Sequence, residues 1–381
     1  MTAPTLEELA ALRAEGAVHR VHVPGSGESR LVVTRDAARA ALTDPRLSND
    51  IRHSASWHGD GGHAIGHNML QSDPPLHTRL RALVAGHFTP GRITALRPRV
   101  ERVAGDLLDA LPRTGTADLV DRYALPLPVT VICELLGIPE ADRGGFHTWS
   151  NELVMPTSPE TAASAAAGLT GYLTDLTDHK RRTPDDTLLS DLVAAEDNGV
   201  LTAEELLGMA FLILVAGHET TVNLISATVH SLLTHPDQLA RLRADPDLTE
   251  NAVEESLRYN SPVHSSAFRF AAEPLELAGT RIEAGESVLV SLAAASRDPG
   301  HFPDPDPDRF DIGRRARGHL GFGHGLHHCL GAPLARVEAA VAVRLLLERH
   351  PALALAADPA TLTWRTSTLL RGLAELPVRL G

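Results

Sequence analysis

The strongest pattern along the chain lies between residues 202 and 235, where apolar residues cover nearly the whole circumference of a helix in its middle. A helix that is apolar all round belongs inside a core, not on a surface. Thr202 followed three residues later by Glu205 is a capping-box signature, and Pro236 lies just beyond the far end. The prediction is a buried helix from Thr202 to about His235. Ahead of it, Leu6 to Ala14 reads as a short helix. Val18 to Val33 alternates apolar and polar positions around Pro-Gly-Ser-Gly, which predicts a β-hairpin. Thr34 is placed to cap a helix through Leu42, closed by Asp-Pro, and from Thr78 to about Lys180 the patterns are helical, broken by Pro and Gly.

Beyond the long helix the pattern predicts a helix over Thr249 to Tyr259. Short strands follow at Leu275–Leu277, Thr280–Ile282 and Ser287–Val290, and a last helix runs from Ala332 to Arg349, before Pro351. No repeat and no Pro/Gly/Ser linker divides the chain. The expectation is a single domain over residues 1–381, mainly α with small β-sheets. One stretch stands apart. Asn49 to Ser72 is rich in Gly and His with almost no period, and a loop of that length in a compact domain is usually a lid or binding loop.

Composition narrows the class. The 381 residues are 43% hydrophobic and 22% charged, which excludes a disordered or collagen-like chain. A net charge of −13 repels nucleic acid and anionic membranes. The uninterrupted apolar run Met209 to Gly217 is far short of the ~20 residues of a membrane span, and the N-terminus lacks a basic-then-apolar layout. Two cysteines, Cys133 and Cys329, cannot build a disulfide framework and suit a reducing cytoplasm. Cys133 lies in an apolar helical run and is assigned to the core. Twenty histidines invite a metal hypothesis, although most of them, such as His53, His58, His63 and His67 in the long loop, read as solvated.

The segment Phe322-Gly323-His324-Gly325-Leu326-His327-His328-Cys329-Leu330-Gly331 places one cysteine in a glycine-rich loop that turns directly into a helix. A helix N-terminus favours thiolate over thiol, and Gly331 permits a flat partner to approach. Three readings are open: a buried structural thiol, a zinc site using His324, His327, His328 and Cys329, and an axial thiolate for haem. A covalently attached c-type haem is excluded, since no C-x-x-C-H is present.

This segment resembles the cytochrome P-450 family, whose pattern F-G-x-G-x-H-x-C-x-G it matches throughout. Ala216-Gly217-His218-Glu219-Thr220-Thr221 resembles the family's A-G-x-[E/D]-T, and Glu255-Ser256-Leu257-Arg258 its E-x-x-R. The resemblance covers residues 15 to 380, ending with Leu369-Leu370-Arg371-Gly372-Leu373 as the final β-turn region. It implies haem b held by Cys329, with Phe322, Gly331 and Ala216 against the macrocycle. His77, Arg81, Arg269 and His327 would serve the haem propionates, and Glu219 and Thr220 a proton relay. Glu255 and Arg258 would form a structural lock, with Arg309 as a second arginine on the same carboxylate. The extra Asp-Pro step in Phe302 to Asp308 bears on that last spacing.

The same resemblance implies a monooxygenase that hydroxylates or epoxidises a hydrophobic small molecule with O2. Polyketides, macrolides, terpenoids and steroids are the expected classes. Electrons would come from a ferredoxin and its reductase, as no flavin or nicotinamide domain is fused. Substrate contacts are expected from Trp57, Met69, Leu70, Phe211, Val215, Val263, His264, Ser266, Thr368 and Leu369. Arg314, Arg315 and Arg317 read as a solvated turn that could dock an acidic electron donor. A cytoplasmic enzyme with no nucleic-acid or membrane partner is expected. A haem-binding sensor without oxygen chemistry and a zinc-binding module remain as alternatives.

Overall fold

The long helix is present as predicted in a computed structural model, which describes residues 4–23, 26–57, 67–154, 157–304 and 306–381. It spans Ala203–Thr234, and its capping box is formed: the Glu205 amide donates to Thr202 Oγ1 at 3.2 Å, and the Thr202 amide to Glu205 Oε2 at 3.0 Å. By length and composition this helix could span a membrane, but 67% of its most apolar window is buried inside the fold, as in a core helix.

Among the described residues the helices are α1 (Leu6–Glu15), α2 (Arg35–Thr43), α3 (Leu76–Ala85), α4 (Pro90–Asp109), α5 (Pro126–Leu136), α6 (Arg143–Val154), α7 (Pro159–Arg182), α8 (Leu188–Asp197), α9 (Ala203–Thr234), α10 (Pro236–Ala244), α11 (Thr249–Tyr259), α12 (Leu292–Ser296) and α13 (Ala332–Arg349). The chain divides into two compact units, residues 1–57, 97–124 and 220–381, and residues 58–96 and 125–219.

The first unit holds every strand among the described residues. Strands β1 (Val18–Val23) and β2 (Gly27–Val32) form the predicted hairpin, with Val18 opposite Val32. The other strands are β3 (Leu47–Ser48), β4 (Thr116–Asp118), β5 (Arg269–Ala271), β6 (Leu275–Leu277), β7 (Thr280–Ile282), β8 (Ser287–Val290), β9 (Ala354–Leu355), β10 (Trp364–Thr366), β11 (Arg371–Leu373) and β12 (Pro377–Arg379). The main sheet runs β1-β2-β8-β5-β3, with β8 parallel to β2 and antiparallel to β5. Under it lies a core of Val32, Leu42, Leu47, Ile282, Val288 and Val290, which also takes in Leu320, two residues before the cysteine loop. The loop is thereby anchored at its entry by an apolar side chain.

The second unit packs helices closely through small residues. A Cβ on Gly168 in α7 would lie 2.8 Å from the indole nitrogen of Trp149 in α6, and one on Gly217 in α9 would lie 2.7 Å from Ile132 in α5. Glu205 also pairs with Arg79 of α3, which fixes the start of α9 against its neighbour.

Some expectations are corrected in detail. Thr34 is the N-cap residue of α2, but its hydroxyl makes no cap hydrogen bond, and the helix runs on to Thr43. The stretch from Thr78 to Lys180 is not wholly helical: β4 pairs with β12 and is too short to leave a periodic signal. Pro98 is accommodated inside α4 without ending it. In the long loop, Ile51–His53 and Met69–Gln71 each form one 3-10 turn. His58 and His63 lie outside the described residues.

Candidate functional site

Cys329 sits on a loop whose path is dictated by glycines. Gly323 and Gly325 have φ of +71° and +73°, a region that side chains disfavour. A Cβ on Gly325 would also lie 2.9 Å from the Leu42 carbonyl at the end of α2. Residues Gly325–His327 make a 3-10 turn, and the Cys329 amide closes the loop by donating to the Phe322 carbonyl at 2.9 Å. Helix α13 starts three residues after Cys329, with Gly331 as its N-cap. The Cys329 side chain is exposed, whereas Cys133 is buried and its thiol is pushed up to about 12 by burial. Of the two sulfurs, only that of Cys329 is placed to act as an external ligand.

Beneath this loop lies a lock that the sequence located only in part. Glu255 and Arg258 are fully buried and joined by two bonds, Nε to Oε2 at 2.7 Å and Nη2 to Oε1 at 2.9 Å. Arg258 also donates to the carbonyls of Pro307 (2.7 Å) and Arg309 (3.2 Å). The second arginine on Glu255 is Arg314, whose Nε lies 3.3 Å from Oε1, and not Arg309. The Arg309 side chain is exposed, and its carbonyl accepts from both Arg258 and Arg314. The basic trio therefore splits: Arg314 is a buried structural residue, while Arg315 and Arg317 are exposed. Pro305, part of the extra Asp-Pro step, lies outside the described residues.

The expected propionate residues occur in both units. In the first, Arg269 on β5 is buried and donates to the Leu47 carbonyl at 3.2 Å, and His327 is half-buried in the cysteine loop. In the second, His77 is buried in the first turn of α3, with half-buried Arg81 one turn on. Burial and then the neighbouring Arg81 lower the His77 pKa, so its ring is held neutral.

On α9, Ala216 is exposed, Glu219 is buried and Thr220 is half-buried. Between them His218 is buried, with Nδ1 donating to the Leu214 carbonyl at 2.8 Å and Nε2 accepting from Ser150 Oγ at 3.1 Å. Burial lowers its pKa to about 4. Sequence reasoning assigned this residue no role, and its partner lies 68 positions away in the chain.

Of the expected substrate residues, Val263, His264, Ser266, Thr368 and Leu369 come together in the first unit. Val263 bridges to Leu370, and the His264 amide donates to the Leu369 carbonyl at 2.7 Å. His264 itself is turned inward at 3% exposure, and the Ser266 hydroxyl is engaged by the Ala267 carbonyl and the Val290 amide. Those two are less available than Thr368 and Leu369. Phe211 and Val215 are half-buried on α9, Met69 and Leu70 lie on one short turn of the second unit, and Trp57 is half-buried in the first.

Among the described residues no three His, Cys, Asp or Glu side chains converge as a metal site, so the zinc reading of His324, His327, His328 and Cys329 has no geometry behind it. The donor set instead suits haem. It offers one exposed thiol before a helix N-terminus, and cationic or neutral nitrogen donors for carboxylates.

Beside the loop a cleft of about 430 Å³ is lined by Arg39, Arg317, His324, His328 and Arg336, with Glu254 as its acid.

Comparison with known proteins gives a coherent result. Residues 153–354 match the cytochrome P-450 family model. The chain is 54% identical to the cytochrome P-450 monooxygenase PikC of Streptomyces venezuelae over 374 residues, covering 97% of this chain and 89% of that protein. It is 46% identical to 6-deoxyerythronolide B hydroxylase of Saccharopolyspora erythraea, covering 92% and 90%. The tirandamycin C-bound monooxygenase TamI superposes with a TM-score of 0.92 at 46% identity, over 98% of this chain and 96% of that one.

Proposed function

The chain belongs to the cytochrome P-450 family, and from that premise we propose that Cys329 is its haem-ligating thiolate and that its substrate is a polyketide or macrolide. Members of the family are monooxygenases that carry haem b through a cysteine thiolate, and this chain is an oxidoreductase of that kind acting on a hydrophobic small molecule. When bound, haem would supply O2 activation, tuned by the Cys329 thiolate that holds it.

The observation that carries the assignment is the contrast between the two sulfurs: Cys329 exposed on its glycine-built loop, Cys133 buried in the core. The remaining roles are assigned with it. His77, Arg81, Arg269 and His327 would hold the two propionates, and His77, kept neutral by burial, would do so as a hydrogen-bond donor without adding charge. Glu219 and Thr220 would hold and relay protons, a carboxylate beside a hydroxyl that both donates and accepts. Phe322, Gly331 and Ala216 would pack against the macrocycle.

The residues expected to meet substrate, Met69, Leu70, Phe211 and Val215 in the second unit and Trp57, Val263, Thr368 and Leu369 in the first, are mostly apolar. That character supports a hydrophobic substrate. A relative named for polyketide biosynthesis, 38% identical over 98% of this chain, supports the polyketide reading. One named vitamin D(3) 25-hydroxylase, 48% identical over 98%, is the reason steroids belong in the test. The electron donor is a ferredoxin, served by its reductase. The cleft holding Arg39, Arg317 and Arg336 offers three arginines against Glu254 in a chain of net charge −13, and such a local reversal of charge suits an acidic donor. The enzyme works in the cytoplasm, which suits its two free cysteines.

The test is reconstitution with a ferredoxin, its reductase and NADPH against a panel of macrolides, polyketides and steroids. The expected result is a product gaining one oxygen atom from a macrolide or polyketide. Turnover confined to steroids would overturn the substrate reading, and equal turnover with a flavodoxin in place of ferredoxin would overturn the donor assignment.

A further inference from the structure

A carboxylate outside the lock ties together the two sides of the cysteine loop. Glu254 of α11 is buried, and its Oε2 accepts from His319 Nε2 at 3.1 Å. The Gly321 amide donates to His319 Nδ1 at 3.0 Å, so the ring's proton sits on Nε2 and its tautomer is fixed. Glu254 also accepts from Arg336 of α13, through Nε to Oε1 and through Nη2 to Oε2 at 3.3 Å. His319 lies on the entry to the loop and Arg336 on the helix that leaves it.

Both arms also meet Phe322. The Arg336 guanidinium stands 4.5 Å from the centre of its ring, and the His319 ring 5.9 Å from it. The Phe322 carbonyl in turn accepts the Cys329 amide. Gly321 lies flat on α11: a Cβ there would approach the Leu257 carbonyl to 3.0 Å. Burial works to raise the Glu254 carboxyl, but the hydrogen bonds from His319 and Arg336 overcome it and hold it down at about 2.

We propose that Glu254, His319 and Arg336 are positioning residues, a cross-brace that sets the Cys329 loop and with it the electronic character of the thiolate toward haem. The proposal rests on the assignment of Cys329 as the ligand. The Glu254 carboxylate offsets the Arg336 guanidinium beside the loop. Removing the carboxylate's charge leaves that arginine uncompensated there and favours addition of an electron at the site the thiolate serves. The two hydrogen-bonded arms keep the loop from relaxing.

The test uses the haem-loaded enzyme and two readouts apart from activity: the reduction midpoint, and the share of the reduced CO complex that lacks the thiolate signature. Glu254→Gln should move the midpoint to more positive potential. His319→Phe should increase the non-thiolate share, and His319→Gln, whose amide can still donate to Glu254, should recover most of the parent spectrum. Parent values in both Glu254→Gln and His319→Phe would overturn the brace, as would His319→Gln behaving no better than His319→Phe. Where the His319→Phe protein fails to load haem, Arg336→Gln takes its place. Its side chain is 39% exposed, and a parent-like midpoint and spectrum in that variant would equally overturn the proposal. A parent enzyme with no thiolate signature would overturn the Cys329 assignment itself, whereas a normal parent with unchanged variants fails the brace alone.

Discussion

Replacing Arg314 or Arg309 separates what the structure says about the lock from what the motif alone implied. Arg314→Met removes a charge-assisted bond to Glu255 at 3.3 Å and bonds to the Asp306 and Arg309 carbonyls at 2.8 and 3.2 Å. Glu255 keeps its two bonds from Arg258 and the Asp311 amide at 2.9 Å, so the carboxylate is weakened but not stranded. The expected cost is about 2 kcal/mol, in the range of bonds to charged groups. Arg258→Met leaves a fully buried carboxylate without its main partner and should cost about 3–5 kcal/mol. Arg309→Ala removes an exposed side chain, and the carbonyl that serves the network is retained, so it should stay within about 0.5 kcal/mol. The assay is denaturant unfolding followed by tryptophan fluorescence at matched haem loading. Equal losses for Arg309→Ala and Arg314→Met, or no loss for Arg314→Met, would refute the reasoning.

Other consequences can be checked alongside. Gly325→Ala combines a positive φ with a clash against the Leu42 carbonyl and should cost about 2–3 kcal/mol and weaken haem retention. Gly323→Ala has the same sign of φ, but its Cβ would have no neighbour nearer than 3.8 Å, so it should cost only about 1 kcal/mol. Comparable losses would contradict the close approach. His218 is held neutral by burial, with its pKa lowered from 6.5 to about 4. The unfolded chain therefore binds a proton first as pH falls. This contribution to stability is full above about 6.5, drains toward 4 and levels off below, by about 3 kcal/mol in all. His218→Phe should flatten that part of the pH profile, and an unchanged slope would count against it. Thr220→Ala should keep consuming electrons while product per electron falls at least about tenfold, with coupling measured as product against NADPH; full coupling would remove Thr220 from the relay.

Much of this architecture is legible in the chain because its signals are local. The capping box at Thr202 and Glu205, the period of α9 and the alternation of the β1–β2 hairpin each lie within one element. The strands β3 and β4 are two and three residues long and exist only through partners hundreds of positions away, so no periodicity announces them. The cysteine loop was readable as a motif, and so was the Glu255–Arg258 pair. A motif gives positions along a chain and not the direction in which side chains turn. Arg309 points outward and offers its carbonyl, which left the second arginine to Arg314. The contacts that sequence reasoning missed, His218 with Ser150 and Glu254 with His319, join residues 68 and 65 positions apart. Their only trace in the sequence was polar residues placed among apolar ones, which carries a cost unless a partner is present.

The central claim is that one sulfur of the two carries the haem. The most direct measurement is the absorption spectrum of the reduced CO complex for the parent, Cys133→Ser and Cys329→Ser enzymes. The account predicts the thiolate signature in the parent and in Cys133→Ser, and its complete loss in Cys329→Ser. A thiolate signature that survives in Cys329→Ser, or a histidine-type spectrum in the parent, would contradict it.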